Sequence, residues 1–173
     1  MIKTKRLSIR RVHADDWKAI QAIWADAAKS IYAQYDKPNA LDDRAVSRRI
    51  ARWASFANGD EHMFFAVCLQ DVVIGYVALN KRENGYEIGY CFHSNYHGKG
   101  YARESISSIL DVMKDKGVVN ITAGTALNNT PSVRLLASLG FRQTGTEKVL
   151  FYRDADGSDI TFAGGNYELL LGM

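Results

Sequence analysis

Between residues 63 and 92, three strand-like segments follow one another with no room for a crossover. Segments 63–69 and 72–79 flank the tight turn Gln70-Asp71. Asn84-Gly85, a strong hairpin signal, separates the second from 86–92. Parallel neighbours need a connection of a dozen or more residues, so these three form an antiparallel meander. Directly behind it comes His97-Gly98-Lys99-Gly100-Tyr101-Ala102, and a helix opens from that turn. Its apolar stripe is Ala102, Ile106, Ile109, Leu110 and Met113, and Gly117 stops it.

The flanks complete the pattern. Residues 7–12 alternate and read as a first strand. Asp15 is a candidate cap for a helix in which Trp17, Ile20, Ile23 or Trp24, and Ala27 recur. A second helix starts near Asp42 or Asp43. Its stripe is Val46, Ile50, Trp53, Ala54 and Ala57, with Arg44, Arg48, Arg49 and Arg52 on a solvated face. After the glycine-rich turn and its helix come a strand at 118–122 and a short helix from Thr130-Pro131 to Leu139, stopped by Gly140. Segments 141–152 and 160–171 close the chain as a hairpin around Asp156-Gly157. The expected fold is α/β (α+β): a mixed, largely antiparallel central sheet of about seven strands flanked by four helices. With two prolines, no repeat and no linker-like shift, residues 1–173 are expected to be a single domain.

Composition excludes several classes. The longest apolar runs fall far short of the ~18–20 residues of a membrane span, and no apolar stretch follows the cations Lys3, Lys5 and Arg6, so neither membrane nor export is expected. Cys68 and Cys91 lie inside apolar strands without nearby ligand partners. They read as reduced core thiols of a cytoplasmic protein, with no metal site. A net charge of +3 suits an anionic cofactor and is too small to argue for nucleic acid.

At 97–102 a strand ends, a helix begins, and small residues stand at 98, 100 and 102. A helix start has unpaired N–H groups and a positive dipole end, and glycines let a diphosphate approach them. The turn is therefore a candidate pyrophosphate cradle, although glycine here also has a purely conformational reading. The alternate spacing is not a dinucleotide fingerprint, and no Lys-Ser or Lys-Thr follows as in a nucleotide P-loop.

The stretch from Phe92 through His97-Gly98-Lys99-Gly100-Tyr101-Ala102 resembles the signature of GNAT acyltransferases: an apolar strand residue, four residues, then Gln/Arg-x-x-Gly-x-Gly/Ala. Gly100 and Ala102 match; His97 departs from the Gln/Arg preference. Asn129-Thr130-Pro131-Ser132, then Leu135-Leu136 and Leu139-Gly140-Phe141, is similar to that family's Asn-x-x-Ser…Leu-Gly-Phe segment. Residues 2–10, with Glu87-Ile88-Gly89-Tyr90, look like the branch that includes the ribosomal-protein N-terminal (alanine/serine) acetyltransferases.

The resemblance implies a GNAT-type acyl-CoA N-acyltransferase fold and acetyl transfer from acetyl-CoA, as co-substrate, to a primary amine by direct attack in a ternary complex. The acceptor would be a protein N-terminus or a small molecule. The implied cofactor contacts are Cys91, Phe92, His97, Gly98, Lys99, Gly100, Tyr101, Ala102, Asn129 and Ser132. The strand 86–92 should splay from its neighbour, so that the pantetheine arm pairs with free backbone near Phe92. An N–H of Cys91 or Phe92 would face the thioester oxygen.

Alternation puts Glu87, Gly89 and Cys91 on one strand face and Ile88, Tyr90 and Phe92 on the other. Glu87 is the candidate general base. A carboxylate buried in so apolar a strand would be a stronger base; an exposed one would pair with a cation such as Arg82. Ser132 is the candidate donor to the thiolate, or an early-helix hydroxyl satisfying backbone. Asn129 alone would read as a capping residue. Where many relatives have a tyrosine four residues after Ser132, this chain has Leu136. Tyr90, Tyr96 and Tyr101 read as packing aromatics, and His13, His62 and His93 form no pattern. The family also suggests a possible homodimer through the last strands. The alternative function is a non-catalytic acyl-CoA-binding regulatory module, which needs the cradle but not Glu87.

Overall fold

The computed structural model describes residues 1–153 and 159–172; the expected turn at Asp156-Gly157 lies outside the described residues. The chain runs β1 (Ile2–Lys3), β2 (Leu7–Arg11), α1 (Trp17–Ala27), α2 (Asp43–Ser55), β3 (His62–Leu69), β4 (Val72–Arg82), β5 (Gly85–Phe92), α3 (Tyr101–Asp115), β6 (Asn120–Ala126), α4 (Thr130–Ser138), β7 (Arg142–Arg153) and β8 (Asp159–Leu170). The strands form one sheet in the order β1-β2-β3-β4-β5-β6-β8-β7. The two-residue β1, which pairs Ile2 with Ile9, brings the strands among the described residues to eight, in line with the about seven expected.

Strand alternation divides the interior into two layers. On β3, Met63, Phe65 and Val67 face one side, where Ile106, Ile109, Leu110 and Met113 of α3 and Leu136 of α4 pack. Phe64, Ala66 and Cys68 face the other side, against Ile20 and Trp24 of α1 and Val46 and Ile50 of α2. The helical stripes expected from the sequence are therefore the faces that are buried. Truncating a fully buried residue such as Ile106 to Ala would cost about 2–5 kcal/mol, part transfer and part cavity.

Two local readings are corrected. Asp16, not Asp15, organises the start of α1. Its buried carboxylate accepts the His13 N–H at 2.8 Å and two Arg10 guanidinium bonds at 2.8 Å each. Arg49 keeps its place in the exposed row of α2, where it stacks over Trp24 at 4.8 Å and donates to Asn39 at 2.7 Å. Finally, β6 begins two residues later than 118 and runs on to Ala126, carried by backbone pairing with β8 from Leu170 to Gly164 rather than by apolar alternation.

Every neighbouring pair in the sheet is antiparallel except β5 and β6, which are parallel and joined by a crossover through α3. Gly85 pins their closed end. Its φ of +137° and its contact with the Asn120 carbonyl, where a Cβ would collide, leave glycine as the residue that fits.

Candidate active site

The site begins where β5 and β6 part. They pair at Tyr86↔Ile121 and Glu87↔Thr122 and at no later position among the described residues. Yet β5 stays paired with β4 as far as Phe92↔Gly75, and β6 with β8 as far as Ala126↔Gly164. Residues 88–92 and 123–126 thus border a wedge, each with one backbone edge that no strand covers. Buried backbone N–H and C=O groups need partners, so such an edge is a template for an extended ligand. Gly89 and Gly124 stand on its two sides, and a Cβ at either would meet nothing within 4 Å.

The glycine-rich turn lies at the open end. Gly98 and Gly100 have φ of +72° and +80°, and Gly100 is the N-cap of α3, so no side chain occupies that helix start. The N–H groups of the first turn are left for an anion. Two sets of contacts hold the turn. From α1, the Asp26 carboxylate accepts the Ser94 N–H and hydroxyl, both at 2.7 Å. Burial alone would raise its pKa, but these bonds, with His93 and His97 nearby, hold it below the usual carboxylate range. From the N-terminus, Arg6 donates to the Lys99 carbonyl at 2.8 Å and to Glu104 at 2.7 Å, and lies 4.4 Å over the Tyr101 ring. Glu104 also accepts from Thr4 at 2.6 Å. His97 Nε2 is 2.7 Å from the Phe92 carbonyl. A carbonyl only accepts, so that nitrogen carries a hydrogen, and the ring ties the turn to the end of β5.

The candidate residues divide into three groups. Cys91, Phe92, and 97–102 form one continuous rim. Asn129 and Ser132 sit across the wedge on α4, where the Asn129 side chain caps the helix by accepting the Ser132 N–H at 3.4 Å. The Ser132 hydroxyl lies 2.8 Å from that of Tyr90 on β5. Glu87 is at the closed end, at the last β5–β6 pair. It is exposed and accepts from Arg82 Nε at 2.9 Å, the paired arrangement rather than the buried one. Leu136 is fully buried.

The Tyr90–Ser132 contact, the Arg6–Glu104 brace and Asp36 escape sequence reasoning. Asp36 follows the one-turn helix Ile31–Tyr35, whose Tyr35 ring meets Phe162 of β8 at 5.1 Å. The residue as a whole is exposed, yet desolvation of its carboxyl by the surrounding protein holds its pKa above the usual carboxylate range. Burial, with the charges of Asp36 and Asp26 adding, pushes the Cys91 thiol up to about 12. That thiol therefore stays protonated at neutral pH and is no nucleophile.

Residues 6–142 match the acetyltransferase (GNAT) domain, which spans the wedge, the turn and α4. The chain belongs to the GNAT family. It is an acyl-CoA-dependent acetyltransferase, and membership implies acetyl transfer from acetyl-CoA to an amine. The uncharacterized N-acetyltransferase YnaD of Bacillus subtilis is 32% identical over 149 residues, covering 83% of this chain and 84% of that one. A GNAT-family acetyltransferase from Bacillus anthracis superposes with a TM-score of 0.78 at 25% identity, over 99% of both chains. The same GNAT fold occurs in RimL, a ribosomal L7/L12 α-N-protein acetyltransferase solved with coenzyme A. There the TM-score is 0.82 at 15% identity, over 97% of this chain and 96% of that one. Among the described residues of this GNAT chain, no helix is long and apolar enough to cross a membrane.

Proposed function

We propose that the 173 residues act as one catalytic domain in which the parted edge of β5 receives the pantetheine arm of acetyl-CoA and the turn at 97–102 receives its diphosphate. The observation that carries this reading is the parting of β5 and β6 after Glu87↔Thr122, next to a helix start free of side chains. The free N–H groups of α3, the positive dipole end and Lys99 fit a diphosphate. Residues 88–92 offer backbone partners to an amide-containing arm, and Cys91 or Phe92 an N–H to the thioester oxygen.

The acceptor is a primary amine, a protein N-terminus or a small molecule, bound on the face of Glu87, Gly89 and Cys91. The two glycines leave room for it there, and Asp36 adds a carboxylate close enough to act on the Cys91 thiol. Glu87 takes the ammonium proton, directly or through water. Ser132 serves the departing sulfur from the opposite face. The protonated Cys91 favours direct attack of the amine over an acetylated-cysteine route.

The test is a mass-spectrometric screen with acetyl-CoA and a panel of N-terminal peptides, polyamines and amino sugars. One class should gain an acetyl group in step with release of free CoA thiol. Tight acetyl-CoA binding with no transfer to any class, including at alkaline pH where amines are neutral, would support the binding-module reading instead.

A further inference from the structure

We infer that Tyr90 is a positioning residue for the leaving group: its hydroxyl orients Ser132 so that the Ser132 O–H points at the CoA sulfur. The inference rests on the proposed role of Ser132 and adds a residue on a second element to it. The two hydroxyls are 2.8 Å apart, and the contact crosses the wedge from the uncovered stretch of β5 to the first turn of α4. Tyr90 is half-buried against the core, whereas Gly89 and Cys91 on either side of it belong to the opposite, acceptor face.

Two hydroxyls at this distance share one hydrogen, and which one donates decides what Ser132 can do. If Tyr90 donates to Ser132 Oγ, the serine hydrogen is free to reach into the wedge. If Ser132 donates to Tyr90, its hydrogen is used and the sulfur meets only lone pairs. Burial, opposed by the Ser132 bond, raises the Tyr90 pKa. The phenol is thus protonated at neutral pH and has a hydrogen to give to Ser132 Oγ. Leu136, one turn further along α4, is fully buried and offers no donor of its own.

The chemistry balances without a further reagent. As the tetrahedral adduct collapses, the C–S bond breaks and its electron pair stays on sulfur. The Ser132 hydrogen bond stabilises that charge, and a hydrogen bond to an ionised partner is stronger than one between neutral groups. The nitrogen loses two protons on the way from ammonium to amide, one to Glu87 before attack and one from the adduct to solvent. The sulfur takes up one from solvent, so one proton is released in all. Ser132 and Tyr90 end as they began.

The experiment compares Tyr90→Phe, Ser132→Ala and the double variant in single-turnover acetyl transfer at saturating acetyl-CoA. CoA affinity by calorimetry and thermal midpoint serve as controls. Ser132→Ala should slow the chemical step by about ten- to a hundredfold, the scale of a lost bond to a charged group. Tyr90→Phe keeps the ring and should slow it by about tenfold or more with CoA affinity unchanged. The double variant should be no slower than Ser132→Ala, because Tyr90 acts through Ser132. A Tyr90→Phe rate within twofold of the parent, or losses that multiply in the double variant, would overturn the role of Tyr90. A normal rate for Ser132→Ala would instead overturn the role of Ser132 on which it rests. A packing role alone would lower the thermal midpoint of Tyr90→Phe and leave the rate of the folded fraction unchanged, which also overturns the inference.

Discussion

Gly100→Glu should weaken CoA binding severely while the sheet stays folded. Gly100 has φ +80°, a conformation that side chains rarely adopt, and its backbone opens α3. A Cβ there would stand 3.3 Å from an Arg6 guanidinium nitrogen. A glutamate would therefore place its charge within reach of Arg6 and compete for the cation that now holds the Lys99 carbonyl and Glu104. It would also put a carboxylate at the helix start where a diphosphate belongs, so repulsion and loss of the brace act together. We expect a loss of at least about a hundredfold in CoA affinity by calorimetry, on the order of 2.7 kcal/mol. Gly100→Ala introduces the strain without the charge and should lose less. The glutamate variant binding CoA within about threefold of the parent would remove 97–102 as the diphosphate site.

The second large effect concerns Glu87. Glu87→Gln keeps size and hydrogen bonding and removes basicity, so the chemical step should slow by about a hundredfold or more. CoA affinity should hold, since Glu87 stands at the closed end of the wedge and not on the rim of the turn. The rate of the variant should recover as pH rises, because more of the acceptor arrives as neutral amine and no longer needs a base. Stability should barely move. The pair with Arg82 is about half exposed on both sides, and exposed pairs are worth roughly 0–1 kcal/mol. Arg82→Gln separates the two roles of the pair. If Glu87 is the base, the arginine variant should stay within a few fold of the parent. If the pair is only structural, both variants should behave alike, and both should be nearly normal.

Much of the framework was legible because its signals are local. The short turns at Gln70-Asp71 and Asn84-Gly85 dictate the antiparallel meander, and the alternation of 63–69 yields both core layers. The glycine pattern at 97–102 marks the turn because φ angles of +72° and +80° need glycine. Other features depend on partners distant in the chain. The parting of β5 and β6 is a relation between two strands, and neither carries a residue that announces it. It came from family resemblance, and the ladder shows it. Whether Glu87 is buried or paired was undecidable from alternation, since Arg82 approaches it across a hairpin. The Tyr90–Ser132 contact spans 42 positions, and the Arg6–Glu104 brace 98. Neither leaves a periodic trace. Asp16 in place of Asp15 is a one-residue ambiguity that two adjacent carboxylates cannot resolve until Arg10 chooses between them.

The most direct test of the central claim is amide hydrogen exchange with and without acetyl-CoA, read on peptides covering the whole chain. An arm paired along the free edge of β5 and a diphosphate over the start of α3 should slow exchange at 88–92 and 97–104. The already paired β2 and β3 should change little. Protection confined elsewhere would contradict the account, for example along the groove between Ser107, Lys114 and Leu169–Gly172. So would saturating acetyl-CoA that leaves 88–92 and 97–104 exchanging as they do without it.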